Sequence, residues 1–250
     1  MSASDGSIPQ NLATVHARIR DAERLWGRTP GSVSLLAVSK TFGVDAVVSA
    51  LAAGQLAFGE NYAQEGIEKI AALEPQGPRP ANASGQPCWH FIGPLQSNKT
   101  RAVAEHFDWV HTIDRERIGR RLAEQRPAAL GPLQVCIQIN VSGEATKSGC
   151  APQEALALVE SLLALPALRL RGVMAIPEAT PEITEQRAAF ARARGVFELI
   201  RDTFPGVSAL RAWDTLSMGM SADLESAIAE GATLVRVGSA IFGSRAPRPE

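Results

Sequence analysis

The sequence contains few cysteines, and those present do not form a disulfide framework. There are three, Cys88, Cys136 and Cys150, an odd number without a recurring spacing. Small secreted domains that depend on disulfides carry even, closely spaced sets of cysteines. The sequence therefore excludes a disulfide scaffold and favours a reducing compartment, so we expect a cytoplasmic protein.

Neither an excess of basic charge nor a long apolar run is present. Lysine and arginine number 25 against 26 acidic residues, which gives a formal net charge of -1. Nucleic-acid binding requires clustered positive charge, and a membrane-spanning helix requires ~20 consecutive apolar residues. Residues 1–10 also lack the basic and then apolar pattern of a signal peptide. We therefore expect small-molecule ligands, and neither a nucleic-acid nor a membrane partner.

Several common catalytic motifs are also absent. There is no C-x-x-C pair, and the four histidines show no metal-ligand spacing. Without a G-x-S-x-G elbow, a serine hydrolase lacks its nucleophile. Gly238 to Gly243 have the spacing of a P-loop, but Ser244 and Arg245 stand where lysine and serine or threonine are required. The sequence therefore gives no support to a metal site, a serine hydrolase site or a P-loop.

What the sequence does contain is a regular alternation of short apolar runs with amphipathic stretches. Hydrophobic residues make up 45% of the chain, enough for a large core. Short runs that are β-branched and uncharged are typical of strands buried on both faces of a parallel sheet. Helical patterns separate the runs, which predicts β-then-α repeats. The runs lie at 33–40, 55–58, 88–92, 109–113, 133–141, 168–176, 215–218 and 233–237.

This alternation predicts a (β/α)8 TIM barrel rather than a doubly wound sheet. A further helix at about 8–27, with Ser7 as its N-cap, precedes the first strand. Only Ser239 to Arg245 remain for the eighth helix, so we expect the N-terminal helix to cover the gap. The proline- and glycine-rich stretch at 74–87 predicts a surface loop. We expect one domain over residues 1–250, with the barrel at about 33–245.

The first strand ends in a lysine. In the run Val33 to Lys40 the charge stands at the carboxyl end, where barrels and open α/β sheets place their chemistry. A lysine in a pocket drier than water has a lowered pKa, which makes its neutral amine available to attack a carbonyl. The alternative is a lysine that simply reaches solvent, and this stretch alone leaves both possibilities open.

The seventh and eighth strand ends carry residues suited to an anion. Barrels frequently bind phosphate on the loops that follow these two strands. Residues 217–221 (SMGMS) and 238–240 (GSA) offer hydroxyls, glycines and backbone N–H groups, although tight turns explain the glycines equally well. Arg236 lies inside the last apolar strand, where a charge is costly unless it is paired or faces a ligand. A phosphate site with Arg236 and a structural ion pair with tight turns are the two alternatives.

Six stretches form long motifs in a fixed order along the chain. They are Leu36–Thr41 (LAVSKT), Phe58–Glu65 (FGENYAQE), Trp89–Lys99 (WHFIGPLQSNK), Lys147–Gly149 (KSG), Leu216–Glu225 (LSMGMSADLE) and Val235–Gly243 (VRVGSAIFG). Together they resemble the pyridoxal phosphate homeostasis proteins, single-domain relatives of the alanine racemase barrel. The resemblance covers roughly residues 33–245.

The resemblance implies an alanine racemase N-terminal-domain-like fold, with pyridoxal 5'-phosphate as cofactor. It implies that Lys40 carries the cofactor as an internal aldimine, that Ser217, Gly238 and Ser239 hold the phosphate, and that Arg236 faces the pyridine nitrogen. The residues alone indicated the same amine, anion site and buried cation. The full set of cofactor-binding residues that it implies is Lys40, Asn61, Ser217, Met218, Arg236, Gly238 and Ser239.

Two features disfavour catalytic turnover. An arginine at the pyridine nitrogen stays protonated and leaves the ring neutral, which makes it a weak electron sink for carbanions. Racemases with this barrel also use a catalytic base from a second β-domain, for which the chain has no room before Glu250. We therefore expect a monomeric, non-enzymatic carrier that stores the cofactor on Lys40 and passes it to apo-enzymes that depend on it.

Two other functions stay open. A pyridoxal phosphate-dependent racemase or lyase of small amino acids would use Tyr62, His90 or Lys147 as its acid or base. A class I aldolase would keep Lys40 but not the cofactor, and its amine would attack a sugar phosphate directly. Turnover of amino acids identifies the first alternative, and absence of a bound chromophore favours the second.

Overall fold

The structure, a computed structural model, describes residues 6–73, 85–144 and 147–243. Within these residues eight parallel strands close into a barrel in sequence order, so the predicted (β/α)8 fold is confirmed. The strands are β1 (Ser34–Val38), β2 (Ala57–Glu60), β3 (Cys88–Phe91), β4 (Trp109–Ile113), β5 (Leu133–Ile139), β6 (Leu168–Ala175), β7 (Thr215–Ser217) and β8 (Leu234–Val237). The helices are α1 (Ile8–Leu25), α2 (Val44–Ala52), α3 (Ala63–Leu73), α4 (Thr100–His106), α5 (Glu116–Gln125), α6 (Ala155–Leu163), α7 (Ile183–Thr203), α8 (Leu224–Ala229) and α9 (Ser239–Phe242).

The N-terminal helix α1 lies against the last two helices of the barrel. Asn11 Nδ2 donates a hydrogen bond to the carbonyl oxygen of Ile241 at 2.9 Å. Arg18 forms an ion pair with Glu225 of α8, with Nε and Oε1 2.8 Å apart. Because α9 covers only residues 239–242, α1 supplies the layer that the short last helix leaves incomplete, as predicted. Among the residues described, no helix has the length and apolar character needed to cross a membrane.

Strand β2 lies two residues later than predicted. The run at 55–58 was expected to be the strand, but the ladder with β3 extends from Ala57 to Glu60. The side chain of Gln55 instead donates to the carbonyl oxygens of Leu35 and Ala57, at 3.0 and 2.7 Å. Gln55 therefore leads into the strand, and Glu60 is its last residue.

Two other predicted segments differ from the structure or lie outside it. The sequence between the fourth and fifth strands predicts a helix at 115–129, but the helix ends at Gln125, because Pro127 cannot continue it, and a 3-10 turn follows at Ala128–Leu130. Most of the loop expected at 74–87 lies outside the described residues, which resume at Gly85. The position of that loop therefore stays a prediction.

The side chains of β1 alternate between the inside of the barrel and the helix layer. Leu36 and Val38 pack inside the barrel with Leu234, whereas Ala37 belongs to the larger core between barrel and helices. Successive side chains of a strand point to opposite faces. Lys40 lies two residues beyond Val38 and continues the inward series, so its side chain starts on the inner side of the barrel mouth.

Candidate functional site

A cavity of about 500 Å³ opens at the carboxyl ends of the strands. Binding sites for small cofactors usually enclose roughly 300 to 1,000 Å³. Polar groups and apolar side chains both line the cavity. The polar side chains are Lys40, Asn61, Ser221, Arg236 and Ser239, and the larger apolar ones are Phe42, Ile92, Ile176 and Met220.

Five of the seven predicted cofactor-binding residues line this one cavity: Lys40, Asn61, Arg236, Gly238 and Ser239. They come from the ends of β1, β2 and β8. Closure of the barrel between β8 and β1, with Ala37 opposite Val237, brings these ends together. The structure thus places the lysine, the arginine and the small residues of the last loop around a common space.

The other two predicted residues, Ser217 and Met218, are not among the residues that line the cavity. Both side chains are fully buried. Ser217 pairs with Leu234, two residues before Arg236 on the neighbouring strand, and therefore lies one layer below the mouth. Met218 belongs to the core between barrel and helices. The cofactor-binding roles of Ser217 and Met218 therefore stay predictions.

Ser221, in the same loop as Ser217, does line the cavity. The backbone N–H of Arg236 donates to the carbonyl oxygen of Gly219 at 2.9 Å, which sets the level of the loop after β7. Two residues further on, the Ser221 and Ser239 hydroxyl oxygens lie 3.4 Å apart. The sequence indicates the whole stretch 217–221 as an anion site. Only the offset between β7 and β8 shows that Ser221, of its two serines, lines the cavity.

Arg236 forms the floor of the cavity. Its Nη1 donates to the carbonyl oxygen and hydroxyl of Ser217, at 2.6 and 2.9 Å, and its Nη2 donates to Ala175 O at 3.0 Å. Within the described residues these bonds occupy three of its five N–H groups, and no carboxylate forms an ion pair with it. Burial lowers the pKa of Arg236 to about 10, so the guanidinium stays charged at neutral pH. Two N–H groups are left for an acceptor in the cavity.

A chain of polar side chains runs from Arg236 through the barrel interior. Ser217 Oγ lies 2.9 Å from His111 Nδ1, and His111 Nε2 lies 2.9 Å from His90 Nδ1. His90 Nε2 in turn lies 3.4 Å from Cys88 Sγ, at the start of β3. The interior of the barrel is therefore not purely apolar, and the cavity floor is connected to the opposite end of the barrel.

The direction of these hydrogen bonds follows from the chemistry of the groups. An arginine only donates, and burial lowers the pKa of both His90 and His111, so both imidazoles are neutral with one N–H each. The assignment that satisfies each donor has Ser217 donating to His111, His111 to His90, and His90 to Cys88 Sγ. Ser217 thereby fixes the guanidinium of Arg236 from below.

We expect the two interior histidines to make stability depend on pH. Burial lowers the pKa of His90 to about 3, well below the value near 6.5 in the unfolded chain. The unfolded state therefore takes up protons first, so stability falls as pH drops below ~6.5 and keeps falling towards the native pKa. Between pH 7 and 5.5 each histidine should lower the free energy of unfolding by roughly 1 kcal/mol. Urea unfolding at the two pH values measures the loss.

Comparison with variants isolates this contribution from other titrating groups. Burial raises the pKa of Glu60 and of Asp223, which changes stability in the opposite direction. His90→Gln should therefore lose roughly 1 kcal/mol less between pH 7 and 5.5 than the unaltered protein. His106→Gln, at a half-buried histidine of α4 outside the barrel interior, is the matched control for the loss of a histidine. Equal pH dependence in His90→Gln and the unaltered protein would contradict the neutral assignment.

The groups around the cavity fit a phosphorylated pyridine aldehyde. The amine of Lys40 suits an aldehyde carbon, and one of the two remaining N–H groups of Arg236 suits a ring nitrogen. The hydroxyls of Ser221 and Ser239 suit phosphate oxygens. Asn61 Oδ1 is buried and has no hydrogen-bond partner among the described residues. A buried polar atom of this kind indicates a missing partner, and a ligand donor would supply it.

Comparison with known proteins agrees with this arrangement. The profile of the family described as "Alanine racemase, N-terminal domain" matches residues 10–246. A pyridoxal phosphate homeostasis protein of Pseudomonas aeruginosa is 57% identical over 239 residues, which is 96% of each chain. The protein of the same name from Vibrio cholerae is 52% identical over 239 residues, 96% of this chain and 97% of the relative.

A solved structure extends the comparison to three dimensions. PipY of Synechococcus elongatus, solved with pyridoxal phosphate bound, is 34% identical to this chain with a TM-score of 0.78. The match covers 95% of this chain and 100% of PipY. Sequence identity over nearly full lengths and a shared barrel lead to the same assignment. The chain belongs to the family of pyridoxal phosphate homeostasis proteins, built on the barrel of the alanine racemase N-terminal domain.

Proposed function

We propose that the protein binds pyridoxal 5'-phosphate in the cavity at the barrel mouth and contributes to the homeostasis of this cofactor inside the cell. The observation that carries the proposal is the convergence of the Lys40 amine, the charged Arg236 and two serine hydroxyls on one cavity. The relatives' names and the cofactor bound to PipY support it. When bound, the cofactor supplies an aldehyde and an electron-withdrawing pyridine ring.

Each polar residue has a defined part in this binding. Lys40 would hold the cofactor through its ε-amine, and Ser221 and Ser239 would hold the phosphate together with the backbone at Gly238. Arg236 would donate a hydrogen bond to the ring nitrogen, and Ser217 fixes the guanidinium from beneath, with Oγ 2.9 Å from Nη1. Because Arg236 remains protonated, it leaves the ring nitrogen unprotonated and the ring a poor acceptor of negative charge.

We also propose that the protein stores the cofactor without turning over amino acids. Of the described residues that line the cavity, only Lys40 and Arg236 are ionisable. With Lys40 attached to the cofactor and Arg236 fixed as a cation, the lining holds no second group to exchange a proton at a substrate carbon. The recipients that suit this storage role are apo-enzymes that use the same cofactor.

The three acid or base candidates for an enzymatic function do not lie in the cavity. Tyr62 is 49% exposed and His90 is buried inside the barrel, where its pKa falls to about 3. Lys147 forms an ion pair with Glu144, with Nζ and Oε1 2.8 Å apart. No group of the described structure thus favours a racemase or lyase over a carrier.

We place the carrier in the cytoplasm. Cys88, Cys136 and Cys150 are all free thiols. Burial raises the pKa of the Cys136 and Cys150 thiols to about 12, so both stay protonated. Free thiols persist where glutathione and thioredoxin keep them reduced.

Titration of the purified protein with pyridoxal phosphate tests both parts of the proposal. We expect a visible absorption band to appear, and borohydride to fix the cofactor on the peptide that contains Lys40. In D2O, small amino acids should exchange their α-protons no faster than with free cofactor. A protein that takes up no cofactor would overturn the binding proposal and leave the sugar-phosphate aldolase to test. Exchange at about 1 per second or faster would identify an enzyme.

A further inference from the structure

A cluster of three charges, two of them buried, lies on the outer side of the barrel behind Lys40. Lys69 of α3 places its Nζ 2.7 Å from Glu60 Oε1 and 2.7 Å from Glu65 Oε1. Glu60 is fully buried and Lys69 is 3% exposed. The cluster shares no residue with the lining of the cavity, so the binding site described above does not account for it.

The remaining hydrogen bonds of the cluster go to the two residues that flank Lys40. Lys69 Nζ donates to the carbonyl oxygen of Ser39 at 2.8 Å, and the Ser39 hydroxyl donates to Glu60 Oε1 at 2.6 Å. On the other side of Lys40, the backbone N–H of Thr41 donates to Glu65 Oε1 at 2.5 Å. The backbone is thus held immediately before and immediately after the lysine.

This backbone has an unusual conformation. Thr41 has a φ of 70°, and among the described residues it is the only one other than glycine with a positive value. The left-handed region is unfavourable for a β-branched residue and persists only where the surroundings enforce it. The hydrogen bond from Thr41 to Glu65 supplies such a constraint at the affected residue.

Stability alone is a poor explanation for the cluster. Buried ion pairs are often no better for stability than well-packed apolar residues, because the charges must lose their hydration. Here Glu60 Oε2 is also buried without a partner among the described residues. Burial raises the pKa of the Glu60 carboxyl, against the opposing effect of Lys69. What the charges supply, and apolar residues would not, is the set of bonds to Ser39 and Thr41.

We propose that Glu60, Glu65 and Lys69 are positioning residues that orient Lys40 for covalent attachment of the cofactor. The inference rests on the proposed function and deepens it. In the attachment, the ε-amine of Lys40 adds to the aldehyde carbon, a carbon–nitrogen double bond forms, and the aldehyde oxygen leaves as water. This step depends on the direction of the amine, whereas binding of the phosphate and ring does not.

Two probes separate attachment from binding. Pyridoxal 5'-phosphate does both, whereas pyridoxine 5'-phosphate has an alcohol in place of the aldehyde and can only bind. The variants are Glu65→Ala, which removes the acceptor for Thr41, and Glu65→Gln, which keeps a side-chain oxygen there. Glu65 is the suitable site because its side chain is 27% exposed. Urea unfolding of both variants establishes that they fold.

We expect Glu65→Ala to weaken binding of pyridoxal phosphate ~10- to 100-fold and to slow formation of the borohydride-stable product, because the amine is misdirected. Its affinity for pyridoxine phosphate should stay unchanged, and Glu65→Gln should recover most of the lost affinity for pyridoxal phosphate. Lys69→Met, which removes the contact with Ser39, should show the same selectivity between the probes.

Two results would overturn the inference. Equal weakening of both probes would mean that the cluster only maintains the shape of the site. Unchanged affinity for both probes would mean that Lys40 is oriented without it. If the unaltered protein binds neither compound, the proposed function itself fails. This result is seen without any variant, so it is distinguishable from a failure of the inference.

Discussion

Replacing Lys40 with alanine should abolish covalent attachment of pyridoxal phosphate completely. Lys40 is the only lysine among the described residues that line the cavity, so no other amine there can add to the aldehyde. The proposed contacts to phosphate and ring come from other residues, so binding of pyridoxine 5'-phosphate should change by less than about fivefold. Absorption spectra and the mass of the protein after borohydride reduction measure attachment, and calorimetry measures the residual affinity.

Two further variants separate the chemistry of Lys40 from its charge. Lys40→Arg retains a positive charge on a long side chain. Because its guanidinium stays protonated, it does not add to an aldehyde, so attachment should again be lost. Lys99→Ala, at an exposed lysine of the loop before α4, should attach the cofactor like the unaltered protein. Borohydride-stable product in Lys40→Ala would show that another lysine carries the cofactor.

The barrel and the place of Lys40 were accessible from sequence for a simple physical reason. Strands buried on both faces are short apolar runs, and their alternation with amphipathic stretches has few stable arrangements. Within a strand, the two-residue period fixes which side chains share a face, so Leu36, Val38 and Lys40 fall on the inner side together. The sequence predicted Lys40 at the carboxyl end of this strand, but it left open whether the amine faces a pocket or solvent.

The positions of Ser217 and Ser221 relative to the cavity could not be predicted in this way. Periodicity within one strand says nothing about its offset along a neighbouring strand. Ser217 pairs with Leu234, so the end of β7 lies below the level of Arg236. Ser221 therefore lies at the level of the cavity, and Ser217 lies beneath it. That offset comes from the closure of the barrel as a whole, in which stagger and strand tilt are linked.

The charged cluster behind Lys40 shows a second limit of the sequence. Because Glu60 follows the predicted strand at 55–58, the sequence predicts it at the mouth with Asn61 and Tyr62, but alternation along β2 turns its side chain outward to α3. Lys69 stands on the buried face of α3, three residues after Gly66 and next to Ile70. A buried ion pair between a strand and the next helix leaves no periodic signal, because its members are found only when the helix is packed.

Gly172 of β6 is held against the backbone of the neighbouring strand. A Cβ atom at this position would lie 1.7 Å from the carbonyl oxygen of Thr215 and 2.6 Å from its carbonyl carbon. These atoms belong to the β6–β7 ladder, so they cannot move aside as a side-chain end would. Ala175 and Ser217, whose carbonyl oxygens hold Arg236, lie further along the same two strands. The separation of β6 and β7 therefore also affects the cavity floor.

We expect Gly172→Ala to lower the free energy of unfolding by about 3 kcal/mol or more, because the added methyl group forces the strands apart. Urea unfolding at pH 7 measures the loss.

Gly195→Ala is the matched control: Gly195 is exposed in α7, and a Cβ there meets nothing within 4 Å. This control should gain ~0.5 to 1 kcal/mol, since alanine favours a helix. Where Gly172→Ala still folds, its affinity for pyridoxine phosphate should fall as Arg236 shifts. Stability like that of the unaltered protein would show that β6 and β7 separate without cost and that glycine is not required between them.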